Sequence, residues 1–388
     1  MKIFFRSVLL ASCVLTLCLS SFAATEYVIA NHDSHFENFI SIYTLDTSSG
    51  ALKQVGDFDT NGTGLGGLSG VHVNFANIEQ AITAKGACIF ALNAYSSDIA
   101  AFSAATKYSL VGNYSNAALN ASYNGGSLAL TPNGKFLYAS YSYTGNIGAW
   151  QVNSDCSLTF ISSYIPLGGD AVGAIKVSPN GQALIIPFDT TVETPGMTEM
   201  FRIDGTSGSL TDVGYLANPC NLTVTCNFYG LDFTRDSKFV VLSALVHGNV
   251  GENGYALTAE ITSNGLVKPR NWPLPNSLQI DVPISPFFSA AGFSGSGNLY
   301  FGSINGVITA DFTENPLKLA VTNAQIVGSS EENGNIAVTG NTMAMGAPAD
   351  EIDVFSINPD GSLTTLSATT VTGQGLDVFS LTLFPSTR

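Results

Sequence analysis

A four-strand phrase recurs seven times from Tyr27 to the C-terminus. Its clearest copy reads Leu130-Thr131-Pro132-Asn133-Gly134-Lys135-Phe136-Leu137-Tyr138, then Ile147-Gly148-Ala149-Trp150, then Ser157-Leu158-Thr159-Phe160. A leucine just past a turn opens the last strand of each copy, at Leu52, Leu110, Leu158, Leu210, Leu266, Leu317 and Leu363, at intervals of 46 to 58 residues. Propeller blades repeat at roughly 40 to 50 residues per four-stranded sheet, so the spacing predicts an all-β, seven-bladed β-propeller. In one copy Pro179-Asn180-Gly181 turns the chain, because proline presets φ and Asn-Gly tolerates positive φ. The runs between turns have the length and apolar content of strands buried between neighbouring sheets, and none has helical period.

The two ends of the chain complement each other. Residues 27–57 supply only second, third and fourth strands, and Phe379-Ser380-Leu381-Thr382-Leu383-Phe384-Pro385 repeats the form of Gly126-Ser127-Leu128-Ala129-Leu130-Thr131-Pro132. The first blade is therefore expected to be closed by a C-terminal strand in a 3+1 arrangement, which removes two sheet edges open to aggregation. First strands are expected near residues 78, 127, 174, 230, 289, 335 and 379.

Composition adds location and excludes partners. Lys2 and Arg6 precede an apolar run at 8–19 and a small-x-small site at Ser21-Phe22-Ala23, which predicts a signal peptide over 1–23 and a single propeller domain over 24–388. Cleavage after Ala23 removes the run, so it is not an anchor of the mature protein, and Leu10-Ala11-Ser12-Cys13 comes too early for a lipoprotein box. A secreted or periplasmic monomer without a membrane span follows. The chain is 45% hydrophobic and 11% charged, with a formal charge of -15 that becomes -17 once Lys2 and Arg6 are removed. Phosphate backbones need basic patches, so nucleic acid is excluded, and the dispersed Lys and Arg do not make a site for a phosphorylated sugar. Cys88, Cys156, Cys220 and Cys226 remain after cleavage. Cys220 with Cys226, inside one loop, and Cys88 with Cys156, on turns of adjacent blades, are the expected disulfides, with metal ligation the rival that lacks CxxC spacing.

The Ser-Pro-Asn-Gly and Thr-Pro-Asn-Gly turns, the Phe-Leu-Tyr and Ala-Leu-Ile strands, and the Asp-Gly-Ser-Leu and Ser-Gly-Ser-Leu phrases resemble those of the seven-bladed propeller lactonase family. This family includes bacterial 6-phosphogluconolactonases and fungal muconate-lactonising enzymes. The resemblance spans nearly all of residues 26–385 and implies a lactone hydrolase fold. Enzymes of the family carry a Pro-His-x-His phrase before a first strand, with Arg and Glu from neighbouring blades. The matching stretch here, Gly169-Asp170-Ala171-Val172-Gly173-Ala174-Ile175-Lys176, has no histidine, so the family's catalytic His has no counterpart.

All four histidines nevertheless fall on one face, where second-to-third and fourth-to-next-first connections emerge: His32, His35, His72 and His247 are the candidate general bases. His32, His35 and Glu37 form a cluster that suits a divalent metal, a base oriented by Asp33, or a plain polar loop tip. No cofactor is required, and a divalent metal is the one added group this cluster admits. Lys176 stands where most first strands carry Ala, Gly or Thr, and the next blade carries Asp232 at that level. An axial ion pair is expected, with Lys176, Asp232 and Asp170 the candidate ligand contacts. Acidic loop residues Asp170, Glu193, Glu252, Glu331, Glu332, Asp350 and Glu351 suit calcium or solubility alone. Two functions stay open: a lactonase-like propeller acting on or binding a small unphosphorylated ring ester, and a non-catalytic propeller presenting loops to an extracellular protein or glycan.

Overall fold

The computed structural model describes residues 26–32, 34, 36–64, 81–115, 126–141, 145–167, 174–188, 197–217, 225–248, 251–267, 277–280, 288–294, 297–303, 306–314, 317–326, 335–347, 351–370 and 380–385. They form seven antiparallel sheets, each read from an inner first strand to an outer fourth. The inner strands are Ser380–Pro385, Ile82–Lys85, Leu128–Leu130, Lys176–Val177, Thr225–Phe233, Phe288–Phe293 and Ile336–Thr339. Ser380–Pro385 pairs with Glu26–Asn31, from Glu26 opposite Pro385 to Asn31 opposite Ser380, so the C-terminal strand completes the first blade as the 3+1 reading expects. The second blade's described inner strand is Ile82–Lys85, and residue 78 lies outside the described residues. One position differs from expectation. The second and third strands of the fifth blade, Phe239–Gly248 and Gly251–Thr262, run on as a long hairpin that takes in His247, because the apolar stretch Ala244-Leu245-Val246 continues the strand pattern past the expected loop. The fifth blade's outer edge is split between Gly265–Val267 and Ser277–Ile280, both paired with the third strand.

The core lies between blades. Ile29, Ile42, Ile89 and Phe102 pack the first junction, and Phe90, Leu92, Leu137 and Trp150 the second. Val28, Tyr43, Val354 and Leu381 close the ring between the last blade and the first. In six blades the fourth strand carries one extra residue opposite the third: Val55, Val111, Ile161, Val213, Thr322 and Leu366. A bulge of this kind twists the outer strand and spoils it as a template for edge pairing. In five of the six the register shift is followed on the third strand by a buried aromatic, Tyr43, Phe102, Trp150, Phe201 or Phe355, each packed in a junction core.

Adjacent blades are clamped on the lower face, where first-to-second and third-to-fourth hairpins emerge. Tyr138, buried in the second strand of the third blade, donates its hydroxyl to the Gly208 carbonyl in the last hairpin of the fourth blade at 2.9 Å, and Tyr300 does the same to Gly361 of the next blade at 3.0 Å. Both glycines have positive φ, +74° and +81°, and face the residue two before the tyrosine. A Cβ on Gly208 would strike the Phe136 ring, and one on Gly361 would lie 2.6 Å from Asn298 Nδ2. The Phe-Leu-Tyr strand and the Ser-Gly-Ser-Leu or Asp-Gly-Ser-Leu turn are thus two halves of one contact, 70 and 61 residues apart in sequence.

The second-to-third junction replaces that contact with a covalent one. Cys156, with φ +69°, occupies the clamp-glycine position of its hairpin, and Cys88 the position of Phe136 and Asn298; the two are joined by a disulfide. The Cys156 hairpin otherwise keeps the same side-chain bonds as the Gly361 hairpin: Asn153 to Ser157 and Thr159, Asn358 to Ser362 and Thr364. Phe90 stands where the tyrosine would be, so the sulfur bridge serves where no hydroxyl is present. The expected Cys220–Cys226 pairing lies outside the described residues at Cys220.

Candidate functional site

The upper face bears the second-to-third and fourth-to-next-first connections. His32 follows the second strand of the first blade and is buried, 3% exposed, with its ring stacked on Phe39 at 4.2 Å. Its Nε2 lies 2.8 Å from Ser41 Oγ, and Ser41 donates to Asp57 Oδ1 at 2.6 Å, where Gln54 also donates at 2.8 Å. The serine proton goes to the carboxylate, which can only accept, so the imidazole carries its proton on Nε2 and donates to Ser41. His32 Nδ1 is left without a hydrogen-bond partner among the described residues. Burial pulls the imidazole down to about 4, against an upward pull from Asp57, so His32 is neutral at physiological pH. In nucleophilic triads the histidine stands between serine and carboxylate and takes the serine proton. Here the serine stands in the middle and is itself buried, so the relay ties three strands of the first blade together and does not generate a nucleophile.

Glu37 is exposed beside it and lines an open groove of about 410 Å³ with Phe36, Phe39, Asp57, Phe58 and Asp59. No three metal-ligating side chains converge among the described residues. His247 falls within a strand opposite Glu252. His35, His72 and Asp170 lie outside the described residues, as do Asp33, Glu193, Glu331, Glu332 and Asp350.

Sequence reading missed a second set of buried polar groups. The third-strand residue two positions before the one that follows each register shift faces the preceding blade near the upper face. It is Ser41 in the first blade, Glu199 in the fourth and Asp353 in the seventh, all buried, where the second, third and sixth have Ala100, Gly148 and Ile308. Glu199 Oε2 accepts the Leu167 N–H at 2.8 Å. Asp353 Oδ2 has no hydrogen-bond partner among the described residues, and burial, with a smaller push from Glu351, raises its carboxyl to about 6. The signal in the sequence was an acid inside an apolar third strand, Met197-Thr198-Glu199-Met200 and Ile352-Asp353-Val354.

On the axis, Lys176 Nζ and Asp232 Oδ1 are 2.7 Å apart, with side chains 26% and 16% exposed. The pair expected from sequence is formed. It lines a cavity of about 110 Å³ bounded by the inner strands of the fourth, fifth, sixth, seventh and first blades. The remaining described cations lie on one side: Lys53, Lys85, Lys107, Lys135, Arg202, Arg235, Lys238 and Lys318 all sit in or beside lower-face hairpins. Carboxylates occupy both faces, with Glu37, Asp57, Asp59, Asp98, Glu199, Glu252, Glu351 and Asp353 toward the upper and Asp46, Asp155, Asp204, Asp212, Asp236, Asp311 and Asp360 toward the lower.

Known proteins agree with the architecture. Residues 40–224 match the lactonases with a seven-bladed β-propeller. A Bacteroides fragilis protein assigned provisionally as a 6-phosphogluconolactonase superposes with a TM-score of 0.71 at 15% identity, over 94% of this chain and 99% of that one. The periplasmic gluconolactonase of Pseudomonas aeruginosa superposes with a TM-score of 0.65 at 15% identity, over 93% and 99%. A Lactobacillus plantarum protein gives 0.66 at 13%, over 93% and 99%. No curated protein sequence matches the chain. At these identities the superpositions speak for the fold.

Proposed function

We propose that this chain, whose residues 40–224 carry the pattern of the seven-bladed β-propeller lactonases, acts on a small ring ester that bears no phosphate. One observation supports the substrate class above the rest. Among the described residues every lysine and arginine lies toward the lower face or is paired with Asp232 on the axis, and the upper face is left to carboxylates. A phosphorylated lactone brings about two negative charges that need clustered Arg or Lys or a helix N-terminus, whereas a neutral ring ester needs only a base for water and donors for its carbonyl oxygen. Two of the structural neighbours are named for 6-phosphogluconolactonase and one for gluconolactonase, so both substrates belong in the test. The Cys88–Cys156 disulfide fits an oxidising compartment, and the basic and apolar N-terminal residues fit export.

A second reading, a non-catalytic scaffold for a protein or glycan, is favoured by His32: a neutral, buried imidazole with Nε2 committed to Ser41 does not reach a substrate. On the catalytic reading the base is His35, His72 or His247. The deciding experiment is turnover of aliphatic lactones, gluconolactone and 6-phosphogluconolactone by the purified protein, with and without divalent metal. Hydrolysis of unphosphorylated lactones that is abolished in one of H35A, H72A or H247A, and unchanged in H32N, is expected. Silence on every lactone selects the scaffold. Faster turnover of the phosphorylated lactone overturns the charge argument.

A further inference from the structure

We propose that the axial cavity is a binding site for a small neutral polyhydroxylated molecule, held by the Lys176–Asp232 pair and Thr382. The cavity of about 110 Å³ has room for roughly four waters, at about 30 Å³ of liquid volume each, or for a short polyol. It is lined by the ammonium of Lys176, the carboxylate of Asp232 and, across the axis, the partly exposed Thr382. The inner strands border it with their open edges, since each pairs only with the second strand of its own blade.

The charge on the axis is not explained by holding the ring together. The blades meet there through Ala174, Leu231, Ala337 and Leu381, and apolar side chains of similar volume hold such a junction at least as well as an ion pair taken partly out of water. What the pair adds is polar capacity. Asp232 takes one of three ammonium N–H groups, which leaves two for a ligand or water.

The same geometry selects the ligand's charge. Lys176 and Asp232 cancel each other, and the protein as a whole is strongly acidic. A carboxylate or phosphate in the cavity would lie beside Asp232 with no uncompensated cation to receive it, and an apolar ligand would strip water from both ions. A hydroxyl both donates and accepts, so neighbouring hydroxyls can donate to Asp232 and accept from Lys176 and Thr382 at once. The site is on the ring axis and shares no lining residue with the upper-face groove beside Glu37.

The test uses the full chain and two probes that differ at one carbon, erythritol and its acid erythronate, by calorimetry and saturation-transfer NMR, with circular dichroism as the check on folding. The parent is expected to bind one erythritol saturably and erythronate at least ten-fold more weakly. K176M should lose erythritol ten-fold or more. T382V should weaken it a few-fold without changing the preference. D232N gives the cavity a net positive charge and should reverse the order, so that erythronate binds more tightly than erythritol. The proposal is overturned by a folded parent without saturable erythritol binding, by a parent that prefers erythronate, or by D232N that keeps the parental order. Because no turnover is measured, these outcomes are separable from the fate of the lactonase reading.

Discussion

Replacing Asp353 by asparagine tests whether the last blade carries a buried charge at neutral pH. The carboxyl is 3% exposed, lacks a partner for Oδ2 among the described residues, and is raised from 3.8 to about 6, first by burial and then by Glu351. A tenfold change in proton affinity corresponds to about 1.4 kcal/mol, so holding Asp353 ionised in the native site costs about 3 kcal/mol above pH 7. The native carboxyl binds its proton more tightly than the unfolded one. Its contribution is therefore fully present below the unfolded value, 3.8, and is lost as pH rises through about 6. Asparagine removes that dependence. The difference in unfolding free energy, D353N minus parent, should grow by about 2 kcal/mol between pH 4.5 and pH 8, whatever constant offset the unpaired amide introduces. Urea unfolding at a series of pH values reads it directly.

His32 gives the measurement an internal control. Its native value is lowered from 6.5 to about 4, so its contribution is complete above 6.5 and is lost as pH falls toward 4, the opposite slope in an overlapping window. In the parent the two contributions offset each other between about 4 and 6, so this pair adds little net slope there. D353N should uncover the His32 slope, with stability rising toward neutral pH. A difference between the two proteins that does not change from pH 4.5 to pH 8 would refute the burial of an ionised Asp353.

Two further predictions concern the junctions. Serine at Cys88 and Cys156 should lower stability by about 2 to 4 kcal/mol, since the bridge spans 68 residues; phenylalanine at 88 with glycine at 156, which rebuilds the Phe136–Gly208 pairing, should recover part of the loss, and equal stability of the two double variants would remove the equivalence. Gly208→Ala places a Cβ against the Phe136 ring at φ +74° and should cost about 2 kcal/mol or more, with a matching fall in melting temperature; a neutral substitution there would show that the clamp is not tight.

The parts of the fold that were legible are those where one residue type has one physical use. Asn180-Gly181 and Asn133-Gly134 announce hairpins because few residues tolerate their φ, and the Phe379 to Pro385 phrase announces a missing inner strand because it repeats the third blade's. The ion pair was legible for a related reason: Lys176 and Asp232 are the two charges at a level of the repeat where other blades have small residues. The relay was not. Asp57 and Ser41 are 16 residues apart and meet only through the pairing of the third and fourth strands, and alternation on an outer strand gives Asp57 no mark that separates it from a solvated acid. His32 does lie in the connection between the second and third strands, as the sequence places it; its burial comes from the Phe39 stack, which the sequence does not mark.

The departures from the repeat carry more information than the repeat itself. A propeller needs every junction to close, so the same contact recurs with the same residues, and a residue that breaks the pattern either supplies the contact by another route or answers to something else. Cys156 is of the first kind: it stands at a clamp-glycine position with the backbone that position demands, and the disulfide accounts for it. Lys176 with Asp232 and Asp353 are of the second kind. Each puts charge where the equivalent residues of most other blades are small or apolar, and closing a junction requires none of them. An ion pair beside a cavity is explained by an occupant for the cavity, and a lone buried carboxylate by its proton. Both explanations can be separated from ring closure by measurement, since K176M, D232N and D353N leave the clamps at Gly208, Gly361 and Cys156 untouched.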